Sequence, residues 1–547
     1  MRRVYPYVLI ACISGLLFFH SLGKVSLFDW DEINFAESAR EMIETNNYMR
    51  VQINYEPFWE KPPFFFWLQS ASMHLFGVGE TAARIPNAVC GIITLLILFA
   101  IGRRLHGEQM ARWWVLVYIA SFLPHLYFKS GIIDPWFNLL IFVSLYFLSR
   151  FISEVTNDRI RNRFLLLSAV FAGMGIITKG PVALLIILLT YLLFFFTYRK
   201  RIKVQLKEYL TWGVVMSLVT LLWFGLEIAQ HGWWFVNEFI TYQIRLAKTE
   251  DAGHGGFLLY HFVVLLIGCF PASVLMWGKS ADQSERTQDQ NYFRTMMNAS
   301  LSVILIVFTL VQTKIVHYSS FAYLPIGYLA AVRIDQVVGG KGRFSRWQIV
   351  LFFVLGIIWS LAFIALPVIG NYPQLIRPLL SRDPFALANL QAEVTWGYLL
   401  IVPGILFLTA IVYGYLLLRK EKIQSGLLII FLACILSMQS LLTLFAPRIE
   451  QYSQRAAIDF FKSLKNKNVY LGTIGYKSYA PFFYAEAGNN KGVIVKSGDW
   501  ILENELDKPA YLVSKITEKE RLVQSYSFLK VIYEKNGFVF YEKAAQP

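Results

Sequence analysis

Charged residues are scarce in this chain, making up only 16% of its 547 residues, whereas 56% of them are hydrophobic. Soluble globular domains carry about 25% charged residues, so a soluble protein throughout is excluded. Cysteine is scarcer still, and all four cysteines lie within apolar stretches and outside ligand-like pairs: Cys12, Cys90, Cys269 and Cys434. We therefore expect neither a disulfide bond nor a thiolate metal site.

A concentrated basic patch is also missing, although the formal net charge is +15. Nucleic-acid-binding proteins gather their basic residues on one face. Here the basic residues instead occupy every second connection between apolar stretches, as at Arg103/Arg104, Arg199/Lys200/Arg201 and Arg419/Lys420/Lys422. By the positive-inside rule these connections face the cytoplasm. The alternation predicts a cytoplasmic N-terminus and an external C-terminal segment.

What the sequence does contain is a series of apolar stretches close to the roughly 20 residues that cross a bilayer. The first follows Arg2 and Arg3 and has no small-residue cleavage site of the usual form, so we expect a retained span. The predicted spans, about 13 in number, are 6–26, 82–102, 110–127, 131–149, 164–178, 181–197, 208–229, 257–277, 297–313, 316–332, 348–370, 394–417 and 425–446. The chain is predicted to be an all-α polytopic membrane protein.

Polar residues concentrate in the outward connections, of which 27–81, 230–256 and the tail 447–547 are the longest. In the first, apolar residues recur at helical spacing and predict an amphipathic helix over 31–46. Residues 64–76 are apolar but too short to span, which predicts a second interfacial helix begun by Pro62-Pro63. These connections are where we look for chemistry.

Two carboxylates stand out at the outer boundary. Asp31 lies in the run Phe28-Asp29-Trp30-Asp31-Glu32, and a carboxylate there can serve as general base on an acceptor hydroxyl or orient the acceptor. Asp29 and Glu32 have a structural alternative to a catalytic role: Asp29 can be the N-cap of the helix, and Glu32 its capping-box partner. Asp134 precedes Pro135 at the outer end of a span, where charges are costly and mark function.

Several cations share that boundary. Lys61 is held by the Pro-Pro corner and suits a phosphate, with snorkelling to lipid headgroups as the alternative. Lys179 lies in a tight outward turn against the inside bias, and an exposed structural lysine is its alternative. Arg245 could supply charge to a donor phosphate. Lys314, His317 and Tyr318 follow at the tenth span, where interfacial anchoring is equally compatible with the pattern.

A metal site is a further expectation. His254 lies in the run Gly253-His254-Gly255-Gly256, where glycines allow close approach to a ligand and a histidine can bind a metal or a phosphate oxygen. A solvated histidine is the alternative. The only cofactor expected is a divalent metal ion, and no organic cofactor is expected.

Taken together, these runs resemble the aminoarabinose lipid A transferases and the related protein O-mannosyltransferases. The matching pieces occur in family order over about residues 1–330: the Asp31-Glu32 entry with Glu37 and Arg40-Glu41-Met42, Glu60-Lys61-Pro62-Pro63, Ala83-Arg84-Ile85-Pro86, Asp134-Pro135, Lys179-Gly180-Pro181, Gly253-His254-Gly255-Gly256 and Lys314/His317/Tyr318 with Leu324-Pro325. Individually these motifs are weak, but their order makes the joint signal strong.

The resemblance implies a type C glycosyltransferase fold that uses a polyprenyl-phosphate sugar, inverts the sugar and works on the periplasmic side. Asp31 matches the catalytic carboxylate, Asp134 the second acidic position and Lys61 the lysine that holds the lipid phosphate. Glu60 and His254 match positions of a divalent cation. The acceptor is expected to be lipid A-like, another envelope lipid or a protein.

Beyond about residue 340 no family motif is found. The domain boundaries that we expect are 1–446 for the membrane glycosyltransferase part and 447–547 for a small periplasmic α/β domain, with strands near 468–472, 510–513 and 537–541. A transporter or lipid-linked-sugar flippase is the main rival. It predicts charges near the bilayer midplane and inverted repeats, whereas the charges here lie at the outer boundary.

Overall fold

The structure is a computed structural model that describes residues 4–249, 255–278, 286–488 and 492–545, without the side chains of residues 246 and 247. The α-helices are α1 (Tyr5–Phe19), α2 (Asp31–Thr45), α3 (Phe64–Phe76), α4 (Glu80–His106), α5 (Glu108–Ala120), α6 (Phe122–Tyr127), α7 (Asp134–Ser153), α8 (Asp158–Lys179), α9 (Val182–Tyr198), α10 (Leu206–His231), α11 (Trp234–Lys248), α12 (Tyr260–Gly268), α13 (Ala272–Leu275), α14 (Gln288–Leu310), α15 (Tyr323–Val338), α16 (Arg346–Asn371), α17 (Pro384–Asn389), α18 (Val402–Arg419), α19 (Ile423–Ser440), α20 (Ala446–Ile449), α21 (Arg455–Leu464), α22 (Ala480–Tyr484), α23 (Gly498–Glu503) and α24 (Lys519–Ser525).

Shorter helical turns and strands complete the chain. The 3₁₀ turns are Val316–Ala322, Pro373–Leu375, Arg377–Leu380, Tyr398–Ile401, Glu450–Tyr452 and Ile516–Glu518, and a π-helical turn covers Leu441–Phe445. The strands are β1 (Gln52–Ile53), β2 (Glu56–Pro57), β3 (Val469–Ile474), β4 (Val493–Val495), β5 (Ala510–Lys515), β6 (Lys530–Lys535) and β7 (Phe538–Lys543).

Every predicted span contains helical residues, although the predicted span 6–26 extends past the end of α1 at Phe19 and the span 394–417 begins before the helical turn at Tyr398. Within the described residues, eight helices are long and apolar enough to cross a membrane, and α1 and α9 are shorter apolar helices. Two predicted spans are interrupted: 110–127 divides between α5 and α6, and 257–277 divides between α12 and α13. Pro271 lies at the second break, where its missing N–H group removes a helix hydrogen bond. The total number of spans stays a prediction.

The two ends of the helix bundle differ in chemistry. At one end, residues of the predicted inner connections bind one another: Arg150 pairs with Asp289, and the side-chain amide of Gln290 donates to the carbonyl of Leu105 at 2.6 Å. At the other end lie α2, α3 and the C-terminal domain. The outward connections therefore meet at one end, where the candidate site residues also lie.

Both helices predicted in the first outer connection are present, although α2 is buried on all sides from Glu32 to Met42 and exposes no polar face there. α2 and α3 begin at the predicted residues 31 and 64 and end within one residue of the predicted ends. Between them, β1 and β2 form a hairpin whose turn residues Asn54 and Tyr55 have positive φ. The second outer connection contains a helix that was not predicted, α11, which packs Phe235 and Phe239 against Trp223.

The C-terminal segment forms a five-stranded mixed sheet in the order β4-β3-β5-β7-β6. β3 runs parallel to β4 and β5, while β7 is antiparallel to β5 and β6. Three of these strands were predicted; β4 has only three residues, and β6 is an almost wholly exposed edge strand. One apolar core joins this domain to the first outer connection, with Ile33 and Phe65 in the same cluster as Phe461 and Val513.

Candidate active site

Asp31, the candidate catalytic carboxylate, is the first residue of α2. Its Oδ2 atom lies 3.6 Å from Nε2 of His317, and 33% of its side-chain surface is exposed. A neutral imidazole has one nitrogen that can accept a proton and one that can donate a proton. The carboxylate is therefore accessible to a substrate and has a proton-exchanging neighbour.

Asp134, the second candidate, has a different environment. Its Oδ1 atom accepts a hydrogen bond from Nζ of Lys179 at 2.6 Å and from the Ser320 hydroxyl at 3.4 Å. Asn138 donates in turn to the Ser320 oxygen at 2.9 Å. Only 3% of the Asp134 side chain is exposed. A buried carboxylate needs such a partner, so Asp134 holds Lys179 in place at the outer end of α7 and α8.

His317 connects the two carboxylates. It lies within electrostatic range of Asp31, Asp134, Lys179 and Lys61, and Lys61 interacts in the same way with Asp134. These five residues come from five separate parts of the chain. We call them the outer charge cluster.

Tyr242 organises a second group beside this cluster. Its hydroxyl donates to Oε2 of Glu60 at 3.0 Å, and that Glu60 oxygen lies 3.9 Å from Nζ of Lys61. The ring of Tyr242 carries two cations, with Lys61 Nζ at 5.4 Å and the Arg245 guanidinium carbon at 5.1 Å. Sequence reasoning missed Tyr242. Its position three residues before Arg245 places both on one face of α11, which was the available signal.

Of the remaining candidate cation-site residues, Tyr318 adjoins the cluster and Lys314 is held elsewhere. The Tyr318 ring lies 5.2 Å from the ring of His317 and 5.8 Å from Nζ of Lys179. The ammonium of Lys314 donates to the carbonyls of Phe308, Thr309 and Val311 at 3.0, 2.7 and 2.6 Å. Its three donors thus satisfy the C-terminal end of α14.

The capping-box interpretation of Asp29 and Glu32 is wrong. Trp30 occupies the N-cap position, and its indole has no acceptor atom for capping. Glu32 forms a fork with Arg84, receiving Nε at 3.0 Å and a terminal nitrogen at 2.6 Å, and also accepts from the Phe28 and Gly131 amides. This buried pair ties the first outer connection to α4 and to the start of α7.

The expected metal site lies only partly within the described residues, since His254 is outside them. Glu60 is described, and it contacts Tyr242 and Lys61. Across the described ranges, no three His, Cys, Asp or Glu side chains come together in a way that could hold a metal ion. The described residues therefore do not complete a metal site, and no chemical step is assigned to a metal.

Comparisons with known proteins agree with this architecture. Residues 60–223 match the family model described as "Dolichyl-phosphate-mannose-protein mannosyltransferase". Curated relatives named "Undecaprenyl phosphate-alpha-4-amino-4-deoxy-L-arabinose arabinosyl transferase" include one from Edwardsiella ictaluri, 25% identical over 63% of this chain and 62% of the relative. Another, from Pectobacterium carotovorum, is 25% identical over 74% of this chain and 75% of the relative. The alignment thus spans less than two thirds of the first relative.

A solved structure shows the same fold over the whole chain. The crystal structure of ArnT from Cupriavidus metallidurans bound to undecaprenyl phosphate superposes with a TM-score of 0.75 at 19% identity, covering 100% of this chain and 99% of that one. The apo crystal structure of the same protein gives a TM-score of 0.73. The expected resemblance, the type C fold and the C-terminal sheet domain are confirmed.

Proposed function

We propose that this multi-pass membrane glycosyltransferase moves a sugar from a polyprenyl-phosphate donor to an envelope acceptor, with inversion, at its outer face. The observation that carries the proposal is the outer charge cluster, which places an accessible carboxylate, Asp31, beside cations that suit a phosphate. The printed names of the relatives support an undecaprenyl-phosphate-linked donor. A lipid A-like acceptor fits that relationship best.

In the proposed reaction an acceptor oxygen attacks C1 of the donor sugar while the bond from C1 to the phosphate oxygen breaks. The bonding electrons leave with the polyprenyl phosphate, whose added negative charge must be stabilised. Lys61 and Arg245, both against the Tyr242 ring, are positioned to supply that stabilisation. Fixed charges in a site of low water content act more strongly than in bulk water.

The acceptor determines what Asp31 does. A hydroxyl acceptor loses its proton during attack, and Asp31 with His317 beside it accepts that proton. A phosphate acceptor is already ionised, so Asp31 then orients it. Asp134 is buried against Lys179, which favours a role in holding Lys179 and His317 over direct contact with the acceptor.

The test is transfer of labelled sugar from a polyprenyl-phosphate donor in reconstituted vesicles. Asp31→Asn should lower kcat by about 10²-fold or more, the usual contribution of a general acid–base group. Asp158→Asn, a change at an exposed carboxylate in the first turn of α8, is the matched control. Undiminished transfer by Asp31→Asn would remove Asp31 from the catalytic role, and an absence of transfer by the wild type would favour a flippase or a scaffold.

We also propose the bacterial inner membrane as location, with a cytoplasmic N-terminus and the outer charge cluster facing the periplasm. The support is the alternation of basic connections and the contacts of the C-terminal domain with the first outer connection. Reporter fusions after Arg201 and after Pro447 should report opposite sides. Two cytoplasmic reporters would contradict this orientation.

A weak dependence on a divalent cation is proposed through Glu60 and His254. The support is the family position of both residues and the partial exposure of the Glu60 carboxylate. In chelator, the wild type should lose part of its activity, and a Glu60→Gln/His254→Ala variant should show no further loss. Full activity of that variant in chelator would contradict the proposal. Mass spectrometry of envelope lipids and glycoproteins with and without the gene would identify donor and acceptor.

A further inference from the structure

The C-terminal domain binds three of the four residues that precede the candidate catalytic carboxylate: Leu27, Asp29 and Trp30. Leu27 is bound through both backbone groups: its amide donates to the Tyr484 hydroxyl at 2.7 Å, and its carbonyl accepts from Nε2 of Gln454 at 2.6 Å. Oε1 of the same Gln454 accepts from the Asp29 amide at 3.3 Å. Gln454 thus bonds to both ends of a three-residue segment.

Asp29 contacts the domain through its side chain as well. Its Oδ1 accepts from the Tyr479 amide at 3.2 Å, and the Ser478 hydroxyl also bonds to this carboxylate. The next residue, Trp30, packs edge-on against the Tyr479 ring at 5.2 Å and beneath Nζ of Lys477 at 4.9 Å. Leu27, Asp29 and Trp30 are therefore fixed by a domain that begins more than 400 residues later.

Trp30 is the N-cap residue of α2, and its side chain makes no capping hydrogen bond to the first turn of the helix. Asp31 is the first helical residue, so its direction depends on the conformation of 27–30. The body of α2 is anchored independently, through the fork between Glu32 and Arg84. Loss of the contacts to 27–30 should consequently leave α2 in place and alter the aim of Asp31.

We propose that Asp29 is a positioning residue through which the C-terminal domain sets the orientation of Asp31, an inference that rests on the proposed function. A displacement of about 1 Å at a reacting group lowers a rate by about 10²-fold. The C-terminal domain, which carries no family motif, thereby belongs to the catalytic apparatus.

Four variants test this role in the full-length protein. Asp29→Ala removes the acceptor for Tyr479, whereas Asp29→Asn keeps an amide oxygen that accepts the same bond. Gln454→Ala releases the segment from the other side. Glu520→Ala, at an exposed carboxylate in α24, is the matched control on the same domain.

Asp29→Ala and Gln454→Ala should lower kcat by about ten- to hundredfold and leave affinity for undecaprenyl phosphate within about twofold. Asp29→Asn and Glu520→Ala should behave like the wild type. In an Asp31→Asn background, Asp29→Ala should cause no further loss, since a positioning residue acts through the group it positions. A wild-type kcat for Asp29→Ala, or an equal loss in both backgrounds, would overturn the proposal.

Hydrogen exchange of the amides at 27–35 gives a readout that does not need activity. Asp29→Ala and Gln454→Ala should both increase exchange there, and Glu520→Ala should not. Unchanged exchange in both variants would also overturn the proposal. If Asp29→Ala does not yield monodisperse protein, Gln454→Ala decides by the same measurements. An inactive wild type would refute the proposed function, and the exchange result would still decide whether the domain fixes this segment.

Discussion

Nε2 of His317 lies 3.6 Å from Oδ2 of Asp31, although the two residues are nearly 290 positions apart in the chain. The sequence placed His317 among the phosphate-binding residues, whereas its neighbours in the fold are carboxylates as much as cations. His317 therefore has two candidate roles, proton exchange with Asp31 and binding of the donor phosphate, and an experiment can distinguish them.

The first prediction uses that separation. His317→Gln should lower kcat about tenfold or more, because a proton-exchanging partner of Asp31 is lost, and should leave the Kd for undecaprenyl phosphate unchanged. His74→Gln, at an exposed histidine of α3, should change neither quantity. A large rise in Kd with an unaltered kcat would instead assign His317 to binding of the donor phosphate.

Lys61 should act on donor binding. Removing a charge-assisted hydrogen bond costs about 1.5–3 kcal/mol, so Lys61→Ala should weaken binding of undecaprenyl phosphate roughly ten- to hundredfold. Lys61→Arg should retain part of the affinity, since a cation remains. Lys24→Ala, which removes an exposed lysine, serves as the control in the same titration. Equal affinities for Lys61→Ala and wild type would remove Lys61 from the phosphate site.

Removing one partner of the Asp134–Lys179 ion pair should destabilise the protein more than removing both charges together. Lys179→Met leaves a buried, uncompensated carboxylate, at a cost of about 3–5 kcal/mol. The double variant Asp134→Asn/Lys179→Met should recover much of that loss, because no buried charge remains. Thermal unfolding in detergent measures both, with Lys207→Met, at an exposed lysine, as the control. A double variant no more stable than Lys179→Met would contradict the pairing.

Stability should also depend on pH through Glu41. Burial, reinforced by neighbouring Glu37, raises the pKa of Glu41 to about 8, against opposing hydrogen bonds that include the Tyr55 amide. In the unfolded chain Glu41 loses its proton above its ordinary pKa of 4.5, whereas in the folded protein it still holds that proton. Stability is fully present below that value and falls as the pH rises through about 8.

Thermal unfolding is compared at about pH 5 and about pH 8.5, which lie near the two ends of the pH range over which this stability is lost. The wild type should be less stable at the higher pH. Glu41→Gln keeps one acceptor oxygen and cannot ionise, so it should show a smaller difference. An equal difference in both proteins would place the pH dependence on another group.

Local pattern was enough to predict the elements whose cause is local. Helices α2 and α3 follow from apolar spacing and from the Pro62-Pro63 start, and the bundle follows from the lengths of the apolar stretches. Strand β6 was missed because its exposed face gives little alternation of buried residues. The interruption of the predicted span 110–127 at Ser121 was also missed, although Pro124 lies three residues beyond it and proline disfavours a continuous helix.

The site was predictable as a set of residues and not as a set of contacts. Asp31, Lys61, Asp134 and Lys179 could be selected because charges at a membrane boundary are costly. The pairings could not, since Glu32 meets Arg84 from 52 positions away and Asp29 meets Tyr479 from 450. The cap stood as an alternative for Asp29 because the distance in sequence hid its partner Tyr479.

The contact between Asp29 and Tyr479 also orders events during synthesis. A ribosome that has delivered the last predicted span has made both carboxylates and all the cations of the outer charge cluster, while Gln454, Ser478 and Tyr479 are still to come. A product that stops at residue 446 would keep its membrane helices and lack every contact that the C-terminal domain makes with Leu27, Asp29 and Trp30. Maturation of the centre therefore waits for the final fifth of the polypeptide, so a late stop codon would leave an inserted but unfinished protein.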